Sequence, residues 1–203
     1  DFNNIHVRNE AQYAAVKLGG KRALLFLNDV ETPISEWQQI RLLDEAKKFN
    51  YSSVDSIENW LKSENDTVVI FALRLTEYLN QYNQSKQVVK LLYHKNPKVQ
   101  IKAIETCRKL TITSSLGSLH EVYELTKKLK VKREIIKTLG ELGDYKEIDF
   151  LRNVLQKEKH YNLTFEAAKA LKKQGKLPSI TPYNGKLSAQ NEGILKHMLD
   201  DRI

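Results

Sequence analysis

The residues able to do chemistry are few and scattered. The five histidines, His6, His94, His120, His160 and His197, are too far apart in the chain for a local metal site, and no H-E-x-x-H pair occurs. The single cysteine, Cys107, excludes an intrachain disulfide and fits a reducing compartment. No G-x-S-x-G elbow, Walker loop or dinucleotide fingerprint is present. Two groupings remain. Trp37 and Asp44 share one face of a helix, with Arg41 between them. Lys132, Arg133, Lys137, Lys169, Lys172 and Lys173 form a cationic set, preceded by Lys127, Lys128 and Lys130. Such cations could hold an acidic peptide, an anionic head group or phosphates.

The bulk numbers agree with a cationic surface. The formal net charge is +8, which favours anionic partners. The cations are mostly lysine, a hydrated point charge, whereas arginine's planar fork suits bidentate phosphate and base contacts. Aromatics interleaved with the charges, as nucleic-acid grooves normally require, are missing: Tyr145 and Tyr161 fall at helix starts or loops. Hydrophobic residues make up 41%, too many for a disordered chain. Only 8 Gly and 4 Pro punctuate the chain, which favours long helices over strands. No apolar run reaches the ~18 residues a membrane span needs.

The elements that position these residues repeat. Val7, Glu36, Val68, Val99, Val131 and Leu163 each open a similar helical pattern, roughly every 30 residues. The columns after each opener predict one buried stripe: Ala11, Ile40, Ala72, Ala103, Ile135 and Ala167, then Ala14, Leu43, Leu75, Thr106, Thr138 and Ala170, then Leu18, Leu79, Leu110 and Leu142. Lys47 and Gln174 break the last column. Trp37 is expected to fill the junction between the first repeats. Cys107 falls near the stripe and reads as a small core residue.

A second helix is expected between successive openers, each about three turns long. After LGELG, Gly143 suits a left-handed C-terminal cap, and Asp144 with Glu147 forms a D-x-x-E capping box. Ser35 with Gln38 makes an S-x-x-Q box, Asn96 and Pro97 read as N-cap and first helical residue, and Asn162 sits where a cap is needed before Leu163. One such pair cannot bury its stripe alone, so stacked pairs must share a core.

These blocks, VKREIIKTLGELGDYKEIDFLRNVLQKEKHYNLTFEAAKALKKQG above all, resemble tandem HEAT-like repeats of the short kind found in phycobilisome-lyase-type arrays. The match is good over 131–175, fair over 68–130 and loose over 7–67, and only the 131–144 copy carries the L-G-x-L-G-D ending. The resemblance implies an all-α solenoid of about six helix pairs whose opener helices line a concave face. Its outward columns would then be Tyr13, Leu42, Arg74, Glu105, Lys137 and Lys169, and Val16, Glu45, Glu77, Arg108, Gly140 and Lys172. The N-terminal half also resembles bacterial HEAT proteins with membrane helices before the repeats. That would imply a cytoplasmic domain, tethered through a segment upstream of this sequence. Some HEAT-like proteins are DNA glycosylases with Trp and Asp on a basic groove, the Trp37–Asp44 arrangement, but the further groove aromatics and arginines are absent.

Residues 1–175 are therefore expected to form the array. Residues 176–203 are expected to be a turn-rich linker and a short helix, with Ile194, Leu195, Met198 and Leu199 covering the open end. The expected function is a non-catalytic scaffold that docks a partner protein, with no metal, cofactor or small-molecule substrate. Trp37, Arg74, Lys132, Arg133, Lys137, Lys169 and Lys172 are the candidate contacts. Nucleic-acid or anionic-membrane binding through the basic C-terminal half is the alternative.

Overall fold

A computed structural model of the chain describes residues 4–48, 56–179 and 186–200. Among them are eleven α-helices and no strand. In chain order they are α1 (Ile5–Gly19), α2 (Glu36–Lys48), α3 (Ile57–Trp60), α4 (Asp66–Tyr78), α5 (Ser85–Lys90), α6 (Pro97–Lys109), α7 (Leu116–Leu125), α8 (Leu129–Leu142), α9 (Tyr145–Lys157), α10 (Tyr161–Lys173) and α11 (Ala189–Asp200). The chain divides into two compact units, Asp1–Thr106 and Cys107–Ile203, and the division falls within α6. No helix of the described residues is long and apolar enough to cross a membrane.

The recurring helices bury one shared spacing. Gln38, Leu42 and Ala46 on α2 are buried, as are Val68, Ala72 and Thr76 on α4. So are Val99, Ala103 and Cys107 on α6, Val131, Ile135 and Leu139 on α8, and Leu163, Ala167 and Leu171 on α10. Each set steps by one helical turn, which keeps it on one face. The register expected for the second copy is therefore displaced. Its true opener is Gln38, not Glu36, and Ile40 lies at the surface. Apolar patterning misses this because Gln38, Gln39 and Glu45 are polar yet buried.

Each of these three side chains makes at least one hydrogen bond. Gln38 Nε2 donates to Gln12 Oε1 (2.7 Å), Tyr13 Oη to Glu45 Oε1 (2.9 Å) and Gln39 Nε2 to the Ile34 carbonyl (3.2 Å). In the first copy the expected stripe faces outward instead. Val7, Ala11, Ala14 and Leu18 are all exposed, Leu18 to 87%. Val16, expected on the outward face, is buried.

The intervening segments also differ from expectation. α7 and α9 are helices of ten and thirteen residues. Toward the N-terminus the same place is taken by a 3-10 segment (Gly20–Asn28), by the four-residue α3, and by the short α5 between 3-10 turns. Trp60 at the end of α3 is buried, and its Nε1 donates to Asn28 Oδ1 (2.7 Å), tying it to the 3-10 segment.

Helix ends follow local chemistry. The Asp144–Glu147 capping box is complete in both directions. Lys98 N donates to Asn96 Oδ1 (2.9 Å), and Gln38 N to Ser35 Oγ (3.2 Å). The Gln38 side chain goes to Gln12 rather than back to Ser35, so that box is half made. Asn162 is no cap: α10 begins one residue earlier, behind His160.

Left-handed endings recur after three helices, one of them at a residue type that does not favour it. Asn80 (φ 51°), Thr111 (φ 53°) and Gly175 (φ 65°) follow α4, α6 and α10. Beyond each, a backbone N–H reaches back into the helix: Gln81 to Thr76 (3.0 Å), Ile112 to Cys107 (2.8 Å) and Lys176 to Leu171 (2.9 Å). Gly143, expected to be such a cap, has φ −81°. Its glycine serves space instead, since a Cβ there would lie 2.2 Å from Glu147 Cβ. Gly140 is likewise steric: a Cβ would lie 2.5 Å from Ala170 Cβ, so this glycine sets how closely α8 approaches α10.

α11 starts within the stretch expected to be linker, because Ser188 caps it: Asn191 N donates to Ser188 Oγ (3.2 Å). Residues 180–185 of that linker lie outside the described residues. Ile194, Leu195 and Met198 are buried, α11 packs on α10, and Leu199 stays partly exposed. Asn191 Nδ2 donates to the Leu155 and Glu158 carbonyls (3.0 and 2.9 Å), satisfying the C-terminal end of α9.

Candidate partner-docking surface

In the N-terminal unit, α2, α4 and α6 wall a groove of about 420 Å³. Ile34, Ile70 and Ile101 supply its apolar lining, and Arg74, Lys98 and Lys102 its cations. Two of these cations are already partnered. Arg74 Nη2 lies 2.8 Å from Glu36 Oε1. Lys102 Nζ lies 2.8 Å from Glu77 and 3.4 Å from Glu105, with Thr106 Oγ1 donating to Glu77 (2.7 Å). The Lys102–Glu77 pair is largely buried, so removing one partner would strand a charge at a cost of about 3–5 kcal/mol. Lys98, in the first turn of α6, is exposed and makes no such pair among the described residues.

The groove also contains an orphan. Gln39 is 3% exposed and lines it, yet its amide oxygen accepts no hydrogen bond among the described residues. A buried acceptor left unmade costs about 1–3 kcal/mol.

In the C-terminal unit, α8 and α10 wall a smaller cleft of about 150 Å³. Gly140 and Ala170 are among its lining residues, with Lys137, Lys169 and Lys173 alternating with Glu141 and Glu166. Lys137 Nζ is 4.0 Å from Glu134, Lys173 Nζ 3.6 Å from Glu141, and Arg133 Nε 2.9 Å from Glu166 Oε2. Nearby, Arg108 meets Glu134 (2.5 Å) and Glu141 (3.7 Å). The positive set read from sequence is thus interleaved with carboxylates. The exposed Lys173–Glu141 pair stabilises little, about 0–1 kcal/mol, but all these carboxylates lower the local potential a phosphate would feel.

The seven candidate residues are therefore distributed. Lys137 and Lys169 meet in the cleft, and Arg133 holds one of its carboxylates. Lys132 is turned to α7, its Nζ 4.4 Å from the centre of the Tyr123 ring. Burial, then the Glu158 carboxylate, raises that phenol well above its usual range. Lys172 is half-buried at the end of α10. Gly140, expected to face outward, is buried between helices. Arg74 lies in the groove of the other unit. Trp37 does not fill a repeat junction: it is 68% exposed. Its two companions are engaged locally. Arg41 hydrogen-bonds Glu10, holding that carboxyl below its usual range, and stacks 3.6 Å over the Tyr13 ring. Asp44 pairs with Lys47 at 3.3 Å.

Sequence reading missed Ile34, Gln39, Ile70, Lys98, Ile101 and Lys102. A signal existed: Ile70 and Ile101 each stand two residues after an opener, a column that the resemblance to HEAT-like repeats did not mark as outward. Cys107 is buried, and burial raises its thiol to about 11, so it is protonated at neutral pH. Among the described residues no three His, Cys, Asp or Glu side chains converge to hold a metal. No protein-family model matches the chain, and no curated protein matches it either.

Proposed function

We propose that the chain is a HEAT-like α-solenoid without catalysis of its own, whose opener helices present a surface that docks a partner protein. Two features support the repeat reading. One buried spacing recurs on α2, α4, α6, α8 and α10, and three of these helices share a left-handed ending. The observation that carries the docking reading is the character of the groove and the cleft. Both are walled by opener helices, and both mix small or apolar lining with cations held by neighbouring carboxylates. Such a mosaic suits another protein's mixed surface, whereas a nucleic acid or an anionic bilayer is better served by uncompensated cations.

The test is partner capture from the source cell by the full chain, by Lys137→Glu/Lys169→Glu, and by Lys157→Glu on α9 as a control. The expected result is a defined set of proteins lost with the double variant and kept with the control. Identical capture by all three would remove the C-terminal cleft from the docking surface.

A further inference from the structure

The groove of the N-terminal unit carries a more specific reading, which rests on the docking function above. We propose that it takes a peptide segment of the partner, with an apolar side chain set beside a carboxylate.

Two features define this occupant. Ile34, Ile70 and Ile101 offer an apolar seat among charged residues, which an aliphatic or aromatic side chain would fill. Lys98 is the groove's exposed cation without an ion-pair partner among the described residues, whereas Arg74 and Lys102 are met by Glu36, Glu77 and Glu105. A single carboxylate matches this balance. A phosphate carries more charge than Lys98 offers, and it would approach Glu36 and Glu105 as well.

The experiment is selection of a random dodecapeptide phage library on the full chain. Enriched peptides are then synthesised, labelled and measured by fluorescence anisotropy. The expected result is enrichment of sequences with Asp or Glu next to an apolar residue. Their affinity should fall at least tenfold with Lys98→Glu and stay within twofold with Lys169→Glu. Lys98 is exposed, so its variant should keep the helical circular dichroism of the parent.

Peptides that bind Lys98→Glu undiminished but lose affinity with Lys169→Glu would overturn the groove assignment and leave the docking function intact. Failure to enrich any peptide would also overturn the groove assignment. The docking function would fall with it only if partner capture were unaffected by both charge reversals.

Discussion

The second copy and the fifth make an instructive pair. α8 buries Val131, Ile135 and Leu139, and α2 buries Gln38, Leu42 and Ala46 at the same spacing. The fold places the same burden on both helices, but only one writes it in apolar residues. In α2 the interior is closed by hydrogen bonds to α1, from Gln38 to Gln12 and from Tyr13 to Glu45. A helix of this kind trades some hydrophobic driving force for directional contacts worth about 1 kcal/mol each. The glycine-rich ending of α8 teaches the complementary point. It looks like a backbone signal and is a packing one, since Gly140 and Gly143 are occupied by their neighbours Ala170 and Glu147.

The largest effect should come from the register of α2. Leu42→Ala should cost about 2–5 kcal/mol, because Leu42 is fully buried. Leu43→Ala, at a half-buried site, should cost about 1 kcal/mol or less. Urea denaturation of both variants checks this, and equal losses would break the register.

Next comes the close approach of α8 and α10. Gly140→Ala gains about 1 kcal/mol of helix propensity but meets Ala170 at 2.5 Å, and overpacking of about 1–3 kcal/mol should win. Gly193→Ala on α11 meets nothing within 4 Å, so the propensity gain should stand alone and raise the melting temperature. Thermal melts of the pair give opposite signs if the glycine of α8 is steric.

The smallest effect should be at α1. Leu18→Lys should change stability by no more than about 0.5 kcal/mol, since Leu18 is 87% exposed. A loss of several kcal/mol would return that leucine to a core.

Much of the fold was legible from sequence because copies three to six carry apolar residues, or Thr and Cys, along the recurring buried stripe, and because Asn96 and Asp144 cap in the expected way and Ser35 in part. The two N-terminal copies were not legible, since polar residues took the buried places and the apolar stripe of α1 turned outward. The left-handed ending at Thr111 was hidden for a different reason. A β-branched residue rarely adopts positive φ, so nothing in its type marks the turn. The candidate surface was half visible. Lys137, Lys169 and Arg74 were found by charge; Glu134, three residues before Lys137 on the same helix, was a legible partner, whereas Glu36 reaches Arg74 from another helix that no local pattern connects.

If carboxylates compensate most of these cations, the proposed surface suits a protein rather than a nucleic acid. Fluorescence anisotropy of the full chain with labelled single- and double-stranded DNA, at 50 and 200 mM salt, tests it most directly. The account predicts binding weaker than about 10⁻⁶ M at the higher salt, the range of non-specific contact. Tighter binding there, with a steep salt slope, would contradict it and make nucleic acid the partner.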